Sequence, residues 1–235
     1  MKQLGHGLTM YLQDYDEVFP FNWYGRTPDV WWQSLPESGA GSGLAYKWMD
    51  VIYPYVKNEQ IFTCPSDPSP RREYIYRGRL TAPNPPSFNK PETTRWGSYA
   101  INMGNWAQNP GQGVPPTSQW GPNNVHQLRT MAMVQAPSQS IWVVEGNGSF
   151  EAAWPAISQN PKIYDWNGAR VLALLSPTML PNFYFEGAIV PRHLNRSNIV
   201  WCDGHASTMD VDRLTERATT GPSKGALRYF TIEDD

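Results

Sequence analysis

The chain has 235 residues and a formal net charge of −2, long enough for a substantial core and suited to one domain, 1–235. The lack of a basic excess speaks against a nucleic-acid binder. Only 17% of residues are charged, beside 11 Trp, 22 Pro and 19 Gly, a loop-rich and aromatic-rich composition with too much apolar surface for a disordered chain.

Residues 2–16 have helical spacing. Leu4, Leu8, Tyr11, Leu12 and Tyr15 fall on one stripe. Gly5 and Gly7 each cost an isolated helix about 1 kcal/mol, so the helix needs support from a sheet beneath the stripe or from more helix upstream. Asp14, Asp16 and Glu17 sit at the unfavourable end of the helix dipole and mark its stop, as does Pro20. An aromatic loop follows over 21–43, with Phe21, Trp23, Tyr24, Trp31 and Trp32. A second helix is expected over about 44–55, with Leu44, Trp48, Val51, Ile52 and Tyr55 on one side and Pro54 near its end. Residues 64–97, carrying Arg71, Arg72, Arg77 and Arg79, read as an extended solvated excursion. Residues 103–124 read as a long surface loop.

Residues 140–144 predict a buried strand ended by Glu145 and Gly146. Within the mixed stretch 147–182, the apolar run 171–175 suits a strand or short helix, and 183–190 is a further strand candidate. Strands over 198–202 and 205–211 flank Asp203-Gly204, a pair suited to the two positive-φ positions of a tight hairpin. On the second strand His205, Ser207, Met209 and Val211 share one face. The tail from Leu214 is polar, with a last strand over 227–232. The expected architecture is α+β: a helix (1–20), a long connection holding a second helix (21–135), then an antiparallel sheet of about four strands with a tail (136–235).

The nine residues between His193 and Asp203-Gly204 resemble the motif of bacterial prepilin-type proteins that carry a C-terminal His-x9-Asp-Gly domain. Four more blocks match that family in order: MKQLG (1–5) with MYLQDYDEVFP (10–20), YPYVKN (53–58) with IFTCPSD (61–67), SYAIN (98–102) and PSQSIWVVE (137–145). Together they cover both ends and the middle of the chain. Asn195 and Arg196 stand where the family usually has glycines after the histidine. The resemblance implies a pilin-like fold and gives His193, Asn198, Asp203, Gly204 and His205 as motif residues. It implies a structural role as the head of a type IV pilin-like or type II secretion pseudopilin-like subunit. The expected place is the cell envelope or exterior, and the partners are other pilin subunits or envelope proteins. Family members have a leader and a hydrophobic helix just upstream of where this sequence starts. No run here reaches the about 18 apolar residues of a membrane span and no signal peptide is visible; membrane contact is expected only through that upstream helix.

Several side chains suggest chemistry. Glu145, His193, Asp203 and His205 form the strongest polar group, and imidazole with carboxylate suits zinc or another divalent ion. The plainer reading has Asp203 capping its own turn and His193 fixing the loop before the hairpin. Pseudopilins often hold calcium in a C-terminal loop, and Asp210 and Asp212 are placed to offer oxygens, although no twelve-residue calcium loop is present. Cys64 and Cys202 suit one disulfide or two buried thiols. Trp23, Trp31, Trp32, Trp106 and Trp120 lie in loop-like segments, where they either stack on a polysaccharide or build a core beneath long loops. The first option gives the alternative function, a polysaccharide-binding or glycoside-active protein, with Glu145, Glu151, Asp14, Asp16 and Asp203 as the acids to examine. The common hydrolase, zinc-protease and phosphate-loop motifs are absent, which favours a non-enzymatic role.

Overall fold

The computed structural model describes residues 1–24, 46–67, 73, 74, 76, 97–105, 114–120, 126–147, 151–154, 188, 189, 192–214 and 216–233. Helix α1 (Lys2–Asp14) forms as its stripe predicts, burying Leu4, Leu8, Tyr11 and Leu12. Tyr15 stays half exposed and stacks on Tyr11 at 4.3 Å. The helix ends where the acids cluster, with Asp16 and Glu17 both at positive φ. A two-residue ribbon of β1 (Trp23–Tyr24) and β2 (Tyr46–Lys47) leads into α2 (Trp48–Val56). Asp50 anchors the start of α2, accepting from Lys47 N at 2.7 Å and from the buried Tyr74 hydroxyl at 2.5 Å.

The main sheet contains β3 (Tyr99–Asn105), β6 (Ile141–Asn147), β7 (Glu151–Trp154), β9 (Arg196–Trp201) and β10 (Ala206–Asp210) in the order β10-β9-β6-β3-β7. The first four are antiparallel, the expected number. β7 pairs parallel to β3, and the short β8 (Ala188–Ile189) pairs with β6. Two small strands, β4 (Gln119–Trp120) and β5 (His126–Gln127), form a separate ribbon.

Both sheet faces are covered. On one lie α1, α2 and a core that includes Leu4, Leu8, Trp48, Phe62, Ile101, Trp142, Val143 and Val200. On the other, Ala100, Ile141, Val144, Ile199 and Trp201 pack against Leu214, Leu227, Tyr229 and Phe230 of the tail. A register shift between Ile141 and Val143 turns the neighbours Trp142 and Val143 to the same side, as a bulge does. It also sets Glu145 on the helical side, two residues beyond Val143.

Four expectations are corrected. The connection 21–135 is not outside the sheet, because it supplies β3, which lies between β6 and β7. Residues 103–124 are not wholly surface loop: Thr117 and Ser118 are buried, and Thr117 hydrogen-bonds the Asn102 carbonyl. The polar tail is not solvated throughout, since Leu214, Leu227, Tyr229 and Phe230 are buried, and 227–232 forms a 3-10 turn (Arg228–Phe230) in place of a strand. It is tied down by Asn102 Nδ2 donating to Phe230 O at 3.0 Å and by Ser140 Oγ donating to Thr231 O at 2.8 Å. The hairpin turn has three residues, 202–204, with Trp201 N donating to His205 O at 3.0 Å. Only Gly204 has positive φ, as in hairpins whose last loop residue is a left-handed glycine. Leu44, residues 171–175 and Arg71, Arg72, Arg77 and Arg79 fall outside the described residues.

The helix and the hairpin meet through glycines. A Cβ on Gly5 would stand 2.2 Å from the Gly204 carbonyl oxygen, and one on Gly204 would stand 2.5 Å from Thr9 Oγ1. Gly7 faces α2, where its Cβ would meet Val56 Cγ1 at 2.5 Å. The residues that weaken α1 as an isolated helix are those that let it sit down on its neighbours.

Candidate metal centre

Three segments bring the site together. Cys64 follows a 3-10 turn (Glu59–Phe62) that is stapled to the start of β3: Ser98 N donates to Phe62 O at 2.8 Å, and Cys64 N donates to Ser98 Oγ at 2.9 Å. The staple needs a left-handed glycine, Gly97, whose Cβ would lie 2.5 Å from Phe62 O. Glu145 lies on β6, opposite Tyr99 of β3. His193 opens the turn that leads into β9, closed by backbone bonds of 3.1 and 3.0 Å between His193 and Arg196. Leu194 and Asn195, the two central residues, both have positive φ, the pattern of a two-residue mirror-image turn. Glycines at these two positions would meet that conformational demand without a Cβ penalty.

Cys64 Sγ, a Glu145 carboxylate oxygen and His193 Nε2 lie within 4.8 Å of one another. Among the described residues they are the group of three whose side chains could hold a metal ion. His193 Nε2 is 3.6 Å from Cys64 Sγ and 2.9 Å from Glu145 Oε1. Glu145 is fully buried, and its Oε2 accepts from Asn198 N at 2.9 Å. The motif residue Asn198 therefore contributes its backbone amide. Burial and the neighbouring Glu145 charge push the Cys64 thiol up, partly offset by a Ser66 N–H and by Arg192. Burial, with Cys64 and Glu145 close by, also pushes Tyr99 up.

A second charged pair borders the site. The buried Arg192 guanidinium meets the buried Asp67 carboxylate at 2.9 Å. It also donates to Gly146 O at 2.7 Å and to Ser98 O at 3.2 Å, tying the edges of β3 and β6 to the 64–67 segment. The sequence reading gave Arg192, Asp67 and Cys64 no part in this cluster. Their signal was present in the matched block IFTCPSD and in the arginine next to His193, but nothing local joins those segments.

No family model matches the chain, and no curated protein or solved structure matches it.

The four residues grouped from the sequence separate into two places. Glu145 and His193 come together as expected. Asp203 and His205 pair with each other at the other end of β9, Asp203 Oδ1 to His205 Nδ1 at 2.6 Å, both exposed. Asp203 also accepts from His205 N at 3.1 Å, the turn-capping role of the plainer reading, and His205 stacks on Trp201. Asp210 lies opposite Arg196 across the β9–β10 ladder. Asp212 falls in a short helix, α3 (Val211–Leu214), and its side chain is outside the description. Cys64 and Cys202 are both buried free thiols, so of the two options the thiol form is the one present. Cys202 belongs to the hairpin turn, where its N–H donates to Ser140 O at 3.0 Å. Trp23 and Trp120 lie on β1 and β4 with side chains outside the description; Trp31, Trp32 and Trp106 are outside it altogether.

The arrangement is wrong for a nucleophilic cysteine. A Cys–His–carboxylate relay places the acid on the imidazole nitrogen that faces away from the sulfur. Here Glu145 and Cys64 meet the same nitrogen, Nε2, and the thiol is pushed up, away from the thiolate. One nitrogen instead faces a thiol and a carboxylate together, hydrogen-bonded to the carboxylate, in a group whose atoms could hold a metal ion.

Proposed function

We propose that this chain is the globular head of a pilin-like or pseudopilin-like subunit of the bacterial cell envelope, with a structural role. The observation that carries this reading is the seat of α1. The helix lies on an antiparallel sheet through Leu4, Leu8 and Leu12, and its Gly5 rests on Gly204, the glycine of the His-x9-Asp-Gly motif. Load on the helix then passes directly to the hairpin and the sheet. The motif works as a brace with two ends: His193 holds Glu145 at the start of β9, and Asp203-Gly204 shapes the turn that receives the helix. No helix among the described residues is long and apolar enough to cross a membrane. The partners are further copies or related subunits.

The test uses the complete gene in its own cells. Antibody to the head should find the protein in the envelope or in sheared surface filaments, and deletion should remove those filaments or the secretion they drive. Recovery only from the cytoplasm, with surface structures and secretion unchanged on deletion, refutes the reading. The polysaccharide alternative rests on tryptophans whose side chains are outside the description, and no feature of the described fold favours it.

A further inference from the structure

We propose that Cys64, Glu145 and His193 bind one divalent ion of the zinc type. This inference stands independently of the filament reading, since it rests on ligand geometry alone. Two ligands at about 2.3 Å (sulfur) and about 2.0–2.1 Å (nitrogen) from a tetrahedral zinc lie roughly 3.5 Å apart; Cys64 Sγ and His193 Nε2 are 3.6 Å apart. The Glu145 oxygen is 2.9 Å from the same nitrogen, about 0.4–0.5 Å short of the separation of two tetrahedral zinc ligands, and within 4.8 Å of the sulfur. The supporting contacts are those of a built site. Glu145 Oε2 is fixed by the Asn198 amide, leaving Oε1 aimed at the centre, and such outer contacts orient metal ligands. Cys64 is held through its own amide by Ser98. The His193 side chain is 35% exposed while Glu145 is fully buried, so the site opens to solvent on one side, giving an entry path and a fourth position for water.

Ligand chemistry chooses the ion. Thiolate and imidazole select zinc-like metals, whereas calcium takes six to eight oxygens and finds one carboxylate here. Binding requires the Cys64 thiol to lose its proton to solvent, and the proton by which His193 Nε2 donates to Glu145 in the empty site to be exchanged through solvent for one on Nδ1, so that the neutral imidazole offers Nε2 to the metal.

The experiment titrates the chelator-stripped chain with zinc and, separately, with cobalt. One ion per chain is expected, and the cobalt form should show a thiolate-to-metal charge-transfer band. Cys64→Ser should abolish that band, and Cys64→Ser and His193→Gln should each weaken zinc binding by more than the roughly 10–100-fold typical of losing an outer contact. His205→Ala should bind as wild type, and excess calcium should not displace zinc. Because a ligand variant risks misfolding, the wild-type chain supplies a second readout: zinc should slow alkylation of Cys64 and leave that of Cys202 unchanged. Substoichiometric zinc and cobalt, binding unaltered in both ligand variants, displacement by calcium, or equal alkylation of Cys64 with and without zinc would each overturn the proposal.

Discussion

Gly5→Ala sets two physical effects against each other. By helix propensity alone, alanine in place of glycine should stabilise α1 by about 1 kcal/mol. The fold predicts the opposite sign. The new Cβ would stand 2.2 Å from the Gly204 carbonyl oxygen, 3.2 Å from its carbon and 3.3 Å from Val200 Cγ1. The nearest atom is backbone, in a turn held by Gly204 N to Trp201 O at 2.9 Å and Cys202 N to Ser140 O at 3.0 Å, so no rotamer relieves the contact. The helix must lift by roughly 1 Å, opening the interface that buries Leu4 and Leu8. Overpacking of this kind costs about 1–3 kcal/mol, and with a rigid neighbour the upper half applies. Net of propensity, Gly5→Ala should lose about 1–2 kcal/mol in urea unfolding, with an unchanged denaturant slope. Gly7→Ala is the internal comparison. Its Cβ would meet the Val56 side chain at 2.5 Å, which can turn away, so its loss should be smaller. A Gly5→Ala protein as stable as wild type or more so would refute the close seat of α1 on the hairpin.

Other outcomes follow from the same contacts. Leu194 is 97% exposed with φ of 51°; a left-handed leucine costs about 1–2 kcal/mol and glycine returns about 0.5–1 of it as backbone entropy, so Leu194→Gly should gain up to about 1.5 kcal/mol, read as a melting point higher by up to about 3–6 °C. Asp50→Ala removes both the acceptor for Lys47 N and that for the buried Tyr74 hydroxyl and should cost about 2–4 kcal/mol in the same unfolding assay. Burial holds the Cys202 thiol and the Tyr74 phenol well above their ordinary 9.0 and 10.0. The folded state therefore keeps protons that the unfolded state releases, so stability is unaffected by these groups below pH 9 and falls by about 1.4 kcal/mol per pH unit for each group once pH exceeds its unfolded value, 9.0 for Cys202 and 10.0 for Tyr74. A stability profile that is flat or rising from pH 9 to 11 would contradict this.

Periodicity made some elements legible. The stripe from Leu4 to Leu12 and the apolar run of β6 bury the side chains that their spacing indicates, and the alternation around Asp203-Gly204 marks a hairpin, although no residue of β10 is fully buried. β3 was missed because its second half, Asn102 to Asn105, is rich in Asn and Gly; its place comes from pairing with β6 and β7 on either side, which no local window contains. The tail was misjudged because its few aromatics, Tyr229 and Phe230, stand among polar residues, yet they cover a sheet face. The site was half legible for a related reason. Glu145 and His193 join across neighbouring strands, while grouping them with Asp203 and His205 ignored the length of β9, whose six residues at about 3.3 Å each span roughly 20 Å. Cys64 enters only through the Phe62–Ser98 staple, a contact between segments more than 30 residues apart in sequence. The glycines of α1 carried a misleading sign, because propensity counts what a side chain adds and their role is to have none.

Native-state hydrogen exchange tests the central claim, that α1 and the β9–β10 hairpin form one rigid unit. If they do, the amides of Leu8, Tyr11 and Leu12 should exchange only by global unfolding, with the same free energy and denaturant dependence as those of Ile199 and Val200. Exchange of the helix amides through a separate, lower-energy opening while the hairpin stays protected would contradict it.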